Sequence, residues 1–238
     1  MTASHPQNRK RFYAAATVAP CENGSFGIEL DGRPIKTPAG HALAVPTQSL
    51  AEAIAGEWNA QGNDIVPASL PLTRLANSAI DAVAEREGDV VQDILNYTAS
   101  DLLCYRAASP AGLVANQARL WDPILAWARI EYDAPFQVGT GVTHLEQPTE
   151  SLDAVRQVIS AFGPFQLAAL HVITTLTGSA LIALAHAQRF LDTDAAWEAA
   201  NVDENWQVSQ WGEDFEAAQR QKKRFSEFLN ASRFFDLV

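Results

Sequence analysis

The stretch Phe-Gly-Ile-Glu-Leu-Asp-Gly, residues 26–32, decides the fold of the first half of the chain. Three apolar residues alternate in it with a glycine and a glutamate, which is the period of a half-buried strand. The dipeptide Asn23-Gly24 precedes the strand and Asp31-Gly32 follows it, and both favour the tight turns of hairpins. Strand-like segments punctuated by prolines continue to Val45. We therefore expect a small antiparallel sheet.

One or two helices follow this sheet. Thr47 has the side chain of a helix N-cap, and apolar residues recur behind it at helical spacing from Leu50 to Trp58. Gly62 is a typical residue for the end of a helix. A proline-interrupted stretch leads to a second helical pattern, which a polar run closes. The sequence predicts an α+β domain over residues 1–86, with β-hairpins and one or two helices.

Helical periodicity dominates the second half, which predicts a helical bundle domain over residues 87–238. Asp122-Pro123 falls inside one helical pattern and either kinks that helix or restarts it. Residues 139–148 are expected to form a loop. The later helices are expected at about residues 152–162, 164–176, 179–190, 194–211 and 215–235.

The overall composition excludes several classes of protein. The formal net charge is −11, from 28 acidic and 17 basic side chains, whereas nucleic-acid binders need concentrated Lys and Arg. No apolar run approaches the roughly 20 residues of a membrane-spanning helix, and residues 1–11 lack the apolar core of a signal peptide. Cys21 and Cys104 are too far apart to form a C-x-x-C pair. We expect a bacterial cytoplasmic protein with no nucleic-acid binding and no membrane insertion.

The chain lacks the catalytic motifs that sequence can reveal. It has no G-x-x-x-x-G-K-[ST] phosphate loop, and Gly139-Thr140-Gly141 is not set in a strand–turn–helix unit. Ser179 lacks the G-x-S-x-G pattern of a nucleophilic serine. His171 and His186 lie on apolar helices without metal-ligand spacing. The sequence therefore predicts a protein that is not an enzyme, with no catalytic residues, no metal and no cofactor.

Residues 191–219 differ from the rest of the chain. They contain no Lys or Arg, yet they hold eight acidic residues and three of the six tryptophans. On a single helix, an apolar stripe would include Glu204, and a second stripe would lie on the opposite face. Glu204 would then be either a member of an internal ion pair with an arginine or a recognition point on a Trp-rich surface. The two stripes are Trp197, Glu204, Val208 and Trp211, and Ala195, Ala199, Val202 and Trp206.

Short motifs spread over nearly the whole chain resemble those of the assembly chaperones for the ATP synthase α subunit. Their shared order and spacing carry the resemblance, although Leu102 replaces a usual threonine and Asp203 stands where the family often has Glu. The motifs are Arg11-Phe12-Tyr13, Leu30-Asp31-Gly32-Arg33-Pro34-Ile35-Lys36-Thr37-Pro38, Glu57-Trp58-Asn59-Ala60-Gln61, Asp101-Leu102-Leu103-Cys104-Tyr105-Arg106, Gln117 with Trp121-Asp122-Pro123 and Trp127, and Asp203-Glu204-Asn205-Trp206-Gln207-Val208 with Trp211-Gly212.

This resemblance implies an α+β N-terminal domain and an orthogonal helical bundle domain. It also implies a chaperone that binds the free α subunit of the F-type ATP synthase head and shields its β-facing surface until assembly. We expect the protein to be a monomer. Trp58 matches the family as a structural or partner-binding residue. The residues that match as partner-binding are Asp203, Glu204, Gln207, Trp211 and Gly212.

Two alternatives stay open at this stage. A small-molecule enzyme with a site between the β-rich and helical halves would show histidines and carboxylates converging in one deep cleft. A general chaperone or adaptor would bind unfolded chains without selecting one folded subunit. A broad, shallow apolar surface would favour a chaperone over an enzyme.

Overall fold

The computed structural model describes residues 9–22 and 24–238. The chain forms two compact units, one reaching to Glu85 and including Asp236–Val238, the other spanning Arg86–Phe235. The strands are β1 Arg9–Lys10, β2 Ala16–Pro20, β3 Phe26–Leu30, β4 Arg33–Pro34, β5 Ala44–Val45, β6 Asp64–Ile65, β7 Tyr105–Arg106 and β8 Gly139–Thr140. The helices are α1 Gln48–Asn59, α2 Pro71–Ser78, α3 Glu87–Ala99, α4 Ala111–Tyr132, α5 Thr149–Ile159, α6 Pro164–Thr177, α7 Ala180–Ala187, α8 Thr193–Ala200, α9 Val202–Trp211 and α10 Phe215–Leu237.

The sheet of the first unit is built around β3. This strand pairs antiparallel with β2 along its whole length, and also with β4 and β5. The turn from β3 to β4 has positive φ at both Asp31 (50°) and Gly32 (77°), which is the backbone of a type I′ hairpin. The predicted sheet and its Asp31-Gly32 turn are confirmed, while Asn23 of the other predicted turn lies outside the described residues.

Helix α1 covers one face of this sheet. The backbone N–H of Leu50 donates to Oγ1 of Thr47 at 3.2 Å, so the predicted N-cap is confirmed. Leu50 and Ile54 are fully buried together with Ile28 of β3, which gives this unit its apolar core. The helix ends at Asn59, three residues before the glycine at which it was predicted to end.

The second unit is helical, as predicted, and α4 is its longest internal helix. Asp122-Pro123 neither stops nor restarts α4, which continues for 22 residues with Pro123 inside it. Trp121 and Ile124, on either side of this dipeptide, are buried, and their packing holds the helix together where proline removes one backbone hydrogen bond. The predicted loop at residues 139–148 contains one unpredicted element, because β8 pairs parallel with β7.

The predicted single helix over residues 194–211 is wrong. The chain leaves helical geometry at Asn201 (φ −114°, ψ 23°), which separates α8 from α9. The amide of Asn201 donates to the carbonyl of Trp197 at 2.8 Å, so an asparagine side chain competes with the helical backbone for that carbonyl. Trp197 consequently packs against Phe225 and Phe228 of α10 and does not share a face with the end of α9.

Among the residues that the structure describes, no helix is both long and apolar enough to cross a membrane. The same residues contain no group of three or more His, Cys, Asp or Glu side chains that could hold a metal ion.

Candidate functional site

A groove of about 450 Å³ runs between α9 and the start of α10, and we call it the C-terminal groove. Four of the five residues predicted to bind a partner line it, and Asp203 does not. Because α9 buries only Val202, most of the helix remains available for binding. The four predicted residues are Glu204, Gln207, Trp211 and Gly212.

Large apolar side chains around this groove are exposed to solvent. Trp211 is 80% exposed and Phe215 75%, and Val208 beside them is 42% exposed. Gly212 ends α9 with φ 85° and ψ 170°, a conformation that is essentially restricted to glycine and that turns the chain into α10. Tryptophan is enriched among residues that dominate binding at interfaces. The arrangement is a shallow aromatic surface suited to binding another protein.

Glu204 has the arginine partner that one interpretation predicted, but the pair is not internal. Its Oε1 lies 3.7 Å from Nη1 of Arg224, and the two side chains are 56% and 42% exposed. Arg224 also donates through Nη2 to the carbonyl of Leu176 at 2.7 Å. An exposed ion pair of this kind contributes only about 0–1 kcal/mol to stability. The carboxylate of Glu204 is therefore accessible from the groove.

Asp203 has a different role from Glu204, because it fixes α9 to α4. Its Oδ1 accepts a hydrogen bond from Nε2 of Gln117 at 2.7 Å, and Oε1 of Gln117 accepts from the backbone N–H of Ala107 at 2.8 Å. Gln117 is 2% exposed, so its amide depends on these partners. The geometry indicates that Asp203 positions α9.

A second contact between the same two helices involves Trp206 and Gly112. A Cβ atom at Gly112 would lie 2.4 Å from Cη2 of Trp206, so the indole ring packs directly on the backbone of α4. Sequence reasoning placed Trp206 on an apolar stripe but did not identify Gly112 as its partner. A glycine inside an otherwise helical pattern was the available signal.

Trp58 lies in the first unit, between two neighbours with structural roles. Glu57 accepts hydrogen bonds from the backbone N–H groups of Leu72 (2.7 Å) and Thr73 (2.9 Å), and so caps the N-terminus of α2. Gln61 accepts from the N–H of Val66 at 2.8 Å and orders the loop between the two helices.

The indole of Trp58 stands edge-on to the ring of Tyr13, with centroids 5.7 Å apart. The hydroxyl of Tyr13 donates to the carbonyl of Trp58 at 2.6 Å. Nε1 of Trp58 has no hydrogen-bond partner among the described residues, so packing alone holds the ring.

Asp101, in the motif at residues 101–106, is a buried carboxylate. Burial raises its pKa to about 6, while hydrogen bonds from Ser179 and from the backbone N–H groups of Leu181 and Leu103 act in the opposite direction. Oγ of Ser179 donates to Oδ1 at 2.7 Å, and the N–H of Leu181 donates to Oδ2 at 3.1 Å. The side chain thus ties the start of α7 to the turn after α3.

His41, His171 and His186 make separate local contacts. His41 pairs with Asp81 at 3.0 Å and His171 with Asp93 at 2.6 Å, while His186 contacts Oγ of Ser232 at 2.7 Å. These are three separate local contacts, and none of them involves a residue of the C-terminal groove. Its aromatic surface is the feature that indicates binding.

Comparison with known proteins identifies the class. A family model described as ATP12 chaperone protein matches residues 10–129. The solved structure of Atp12 from Paracoccus denitrificans superposes with a TM-score of 0.92 at 38% identity, over 96% of this chain and 98% of that chain. A point mutant of the same Paracoccus protein gives the same TM-score and identity over 97% of its chain.

The Atu1473 protein of Agrobacterium tumefaciens gives a TM-score of 0.93 at 43% identity, over 96% of this chain and 85% of that chain. The mitochondrial protein atp12 of Schizosaccharomyces pombe is 25% identical over 219 residues, which is 87% of this chain and 75% of that protein. The structural matches cover 96% of this chain and so extend beyond the region matched by the family model.

An exposed aromatic groove, on a fold shared with proteins named as chaperones and not as enzymes, defines a protein-binding chaperone. The chain belongs to the ATP12 chaperone family. The predicted family and the prediction that the chain is not an enzyme are confirmed.

Proposed function

We propose that this chaperone acts in assembly of the F-type ATP synthase, where it binds the free α subunit and shields its β-facing surface until β takes its place. The observation that carries the proposal is the exposure of Trp211 in the C-terminal groove, with Phe215 exposed directly after the lining residue Asp214. Membership of the ATP12 family supports ATP synthase assembly as the setting.

A free α subunit needs its exposed interface covered, and the groove is suited to this. A subunit taken from an alternating ring exposes an extended interface that its neighbour normally covers, which makes it prone to aggregation. Aromatic side chains such as Trp211 can cover apolar positions of that interface without any chemical step. Release then needs only that the β subunit bind the same surface more favourably.

Charge at the groove would orient the client more than it would add affinity. Glu204 lines the groove together with Glu213 and Asp214, and all three are exposed. Exposed carboxylates near apolar anchors accelerate encounter and select the orientation of binding. We propose that the chaperone acts as a monomer in the bacterial cytoplasm, a setting that its Paracoccus and Agrobacterium relatives support.

Co-expression with the α subunit tests the proposal. Wild-type chaperone should keep the subunit soluble and co-purify with it, whereas Trp211→Ala should lose this ability while melting at the wild-type temperature. Ile130→Ala is the matched control, because Ile130 is 83% exposed on α4 and does not line the groove. The proposal is wrong if Trp211→Ala captures the subunit as well as the control does.

Selectivity distinguishes this function from that of a general chaperone. The wild-type protein should not suppress aggregation of a reduced, unfolded protein unrelated to ATP synthase, because the groove is a preformed surface built on two helices. Equal protection of such a protein and of the α subunit would favour the general chaperone.

A further inference from the structure

The first unit contains a cavity of about 760 Å³, which we call the N-terminal groove. It is separate from the C-terminal groove, and no lining residue is shared between them. Its lining combines aromatic with basic side chains. These are Phe12, Tyr13 and Trp58, and Arg9, Arg33 and Lys36.

The aromatic part of the lining is held in place. Tyr13 is 7% exposed, and the guanidinium of Arg11 lies 4.6 Å from its ring centroid. Arg11 also donates to the backbone carbonyls of Tyr13 (3.1 Å) and Ala14 (2.7 Å), so its charge is engaged in fixing this segment. Phe12, in contrast to Tyr13, is 66% exposed. A rigid aromatic wall with one accessible ring is suited to receive an apolar side chain.

The basic part of the lining is only partly compensated, since Asp31 interacts electrostatically with Arg33 without forming a salt bridge. In the described part of the chain, no carboxylate lies within salt-bridge distance of Arg9, Arg33 or Lys36. The carboxylate that lines the groove, Asp31, accepts backbone hydrogen bonds from Ala14 and Ala15 at 3.0–3.1 Å. The chain as a whole carries a net charge of −11, whereas this one cavity is bordered by three exposed basic side chains and one carboxylate.

We propose that the N-terminal groove is a second docking site, which binds an acidic peptide segment of the client that carries a large apolar side chain. The apolar side chain packs against Phe12 and Trp58, and the flanking carboxylates pair with Arg33 and Lys36. The proposal rests on the proposed function, since it assigns the segment to the client subunit.

The concave shape of the N-terminal groove and the net charge of the chain favour a peptide over a membrane surface. A concave groove accommodates a narrow chain segment, whereas a lipid surface requires a flat or convex basic patch. The net charge of −11 would repel an anionic bilayer from the rest of the molecule.

A defined peptide tests this site in isolation. The probe is a fluorescein-labelled, capped hexapeptide, Asp-Glu-Leu-Phe-Asp-Glu, titrated with full-length protein while its anisotropy is measured. The Arg33→Glu/Lys36→Glu double variant should bind it at least about tenfold more weakly, because attraction at the groove becomes repulsion. Phe12→Ala should weaken binding by about tenfold through loss of the accessible ring.

Two controls distinguish binding by the basic side chains of the groove from a general effect of the protein's net charge. Arg74→Glu reverses an exposed arginine of α2 that does not line the groove and should bind the probe like wild type. A hexapeptide with Lys at all four acidic positions should not bind wild-type protein. Melting temperatures of all variants should match wild type within a few degrees, because Phe12, Arg33 and Lys36 are exposed.

Several results would overturn the proposal. The proposal is overturned if the double variant and Arg74→Glu bind the acidic probe equally well. It is also overturned if wild-type protein binds the Lys peptide as tightly as the acidic probe. Binding to vesicles of anionic phospholipid that the double variant abolishes would assign the groove to a membrane. Self-association lost in the same variant would assign it to a second copy of the chain.

Capture of the α subunit separates this proposal from the proposed function. If wild type fails to capture the subunit, the assignment of the client is wrong whatever the peptide does. If wild type captures it and the Arg33→Glu/Lys36→Glu variant captures it equally well, the second docking site is wrong and the function stands.

Discussion

The indole ring of Trp206 occupies the space into which any side chain at Gly112 would project, with Cη2 only 2.4 Å from the Cβ position. Either the indole ring or α9 itself must therefore shift if Gly112 acquires a methyl group. Because α9 buries only Val202, this contact and the hydrogen bond between Asp203 and Gln117 set how α9 lies on α4.

Gly112→Ala should therefore destabilise the protein by about 1–3 kcal/mol and weaken client capture, through displacement of α9. Gly56→Ala is the matched control, since Gly56 lies inside α1 with no atom within 4 Å of its Cβ position. That control should be neutral or stabilising by about 0.4–1 kcal/mol. Denaturant unfolding measures both variants, and equal unfolding free energies would contradict the packing role.

Glu204→Lys should abolish client capture while leaving the fold intact. The exposed pair with Arg224 contributes about 0–1 kcal/mol, so its loss should hardly change the melting temperature. Glu198→Lys is the matched control, because Glu198 pairs with Arg119 at 2.8 Å on the surface outside the groove. A strongly destabilised Glu204→Lys variant would count against a binding role.

Asp203→Lys should lower stability by about 1–3 kcal/mol, since the buried amide of Gln117 loses its acceptor. Asp203→Asn retains an acceptor oxygen and should cost less. Thermal melting of the two variants is the measurement. The family resemblance implied that Asp203 binds the partner, and an unchanged melting temperature together with reduced client capture would support that role instead.

Trp58→Arg should lower thermal stability and soluble yield before any specific loss of binding appears. The ring packs edge-on against Tyr13, and a guanidinium cannot replace that packing. Trp58→Phe is the conservative variant; it should restore most of the stability, because Nε1 makes no hydrogen bond among the described residues. Wild-type melting of Trp58→Arg together with lost capture would show that Trp58, which also lines the N-terminal groove, acts in binding and not in stability.

Asp101 predicts a specific pH dependence of stability. Burial raises its pKa from the ordinary 3.8 to about 6, so the folded state binds this proton more tightly than the unfolded state. The contribution is fully present below pH 3.8 and is lost as the pH rises through about 6. Stability from this group therefore falls between pH 5 and pH 7, by about 1 kcal/mol.

Comparison with Asp101→Asn isolates this effect. The difference in unfolding free energy between pH 5 and pH 7 should change by about 1 kcal/mol when the titrating group is removed. Carboxyl ¹³C NMR should show one resonance with a midpoint near 6 that is absent in the variant. A midpoint below 4 for Asp101 would show that its hydrogen bonds outweigh its burial.

Elements of the fold that depend on neighbouring residues could be predicted from the sequence, whereas features that depend on distant contacts could not. Alternation in β3, the dipeptide Asp31-Gly32 and the N-cap Thr47 are local features, and each predicted its element correctly. The break at Asn201 was missed because helical periodicity continues on both sides of it, and the side chain that interrupts the helix gives only a weak preference.

The sequence predicted which residues form the candidate site, but not which of them line the groove and which hold α9 in place. Sequence placed Asp203 and Glu204 together because they are neighbours in one motif. Helix geometry places consecutive residues about 100° apart, but only the packing of α9 shows that Asp203 faces Gln117 while Glu204 faces the groove. Phe215 lay outside the matched motifs, and its exposure could not be read from its identity.

The exposed aromatic surface at Trp211 also creates a hazard for the chaperone itself, because two copies could adhere through it. Glu213 and Asp214 follow directly after the turn at Gly212 and border the same surface. Like charges flanking an apolar patch act as gatekeepers, since identical copies repel each other at short range while a surface of opposite charge does not. We therefore expect the carboxylates of Glu213 and Asp214 to oppose self-association at Trp211 without covering it, although Arg220 and Arg224 also line the groove.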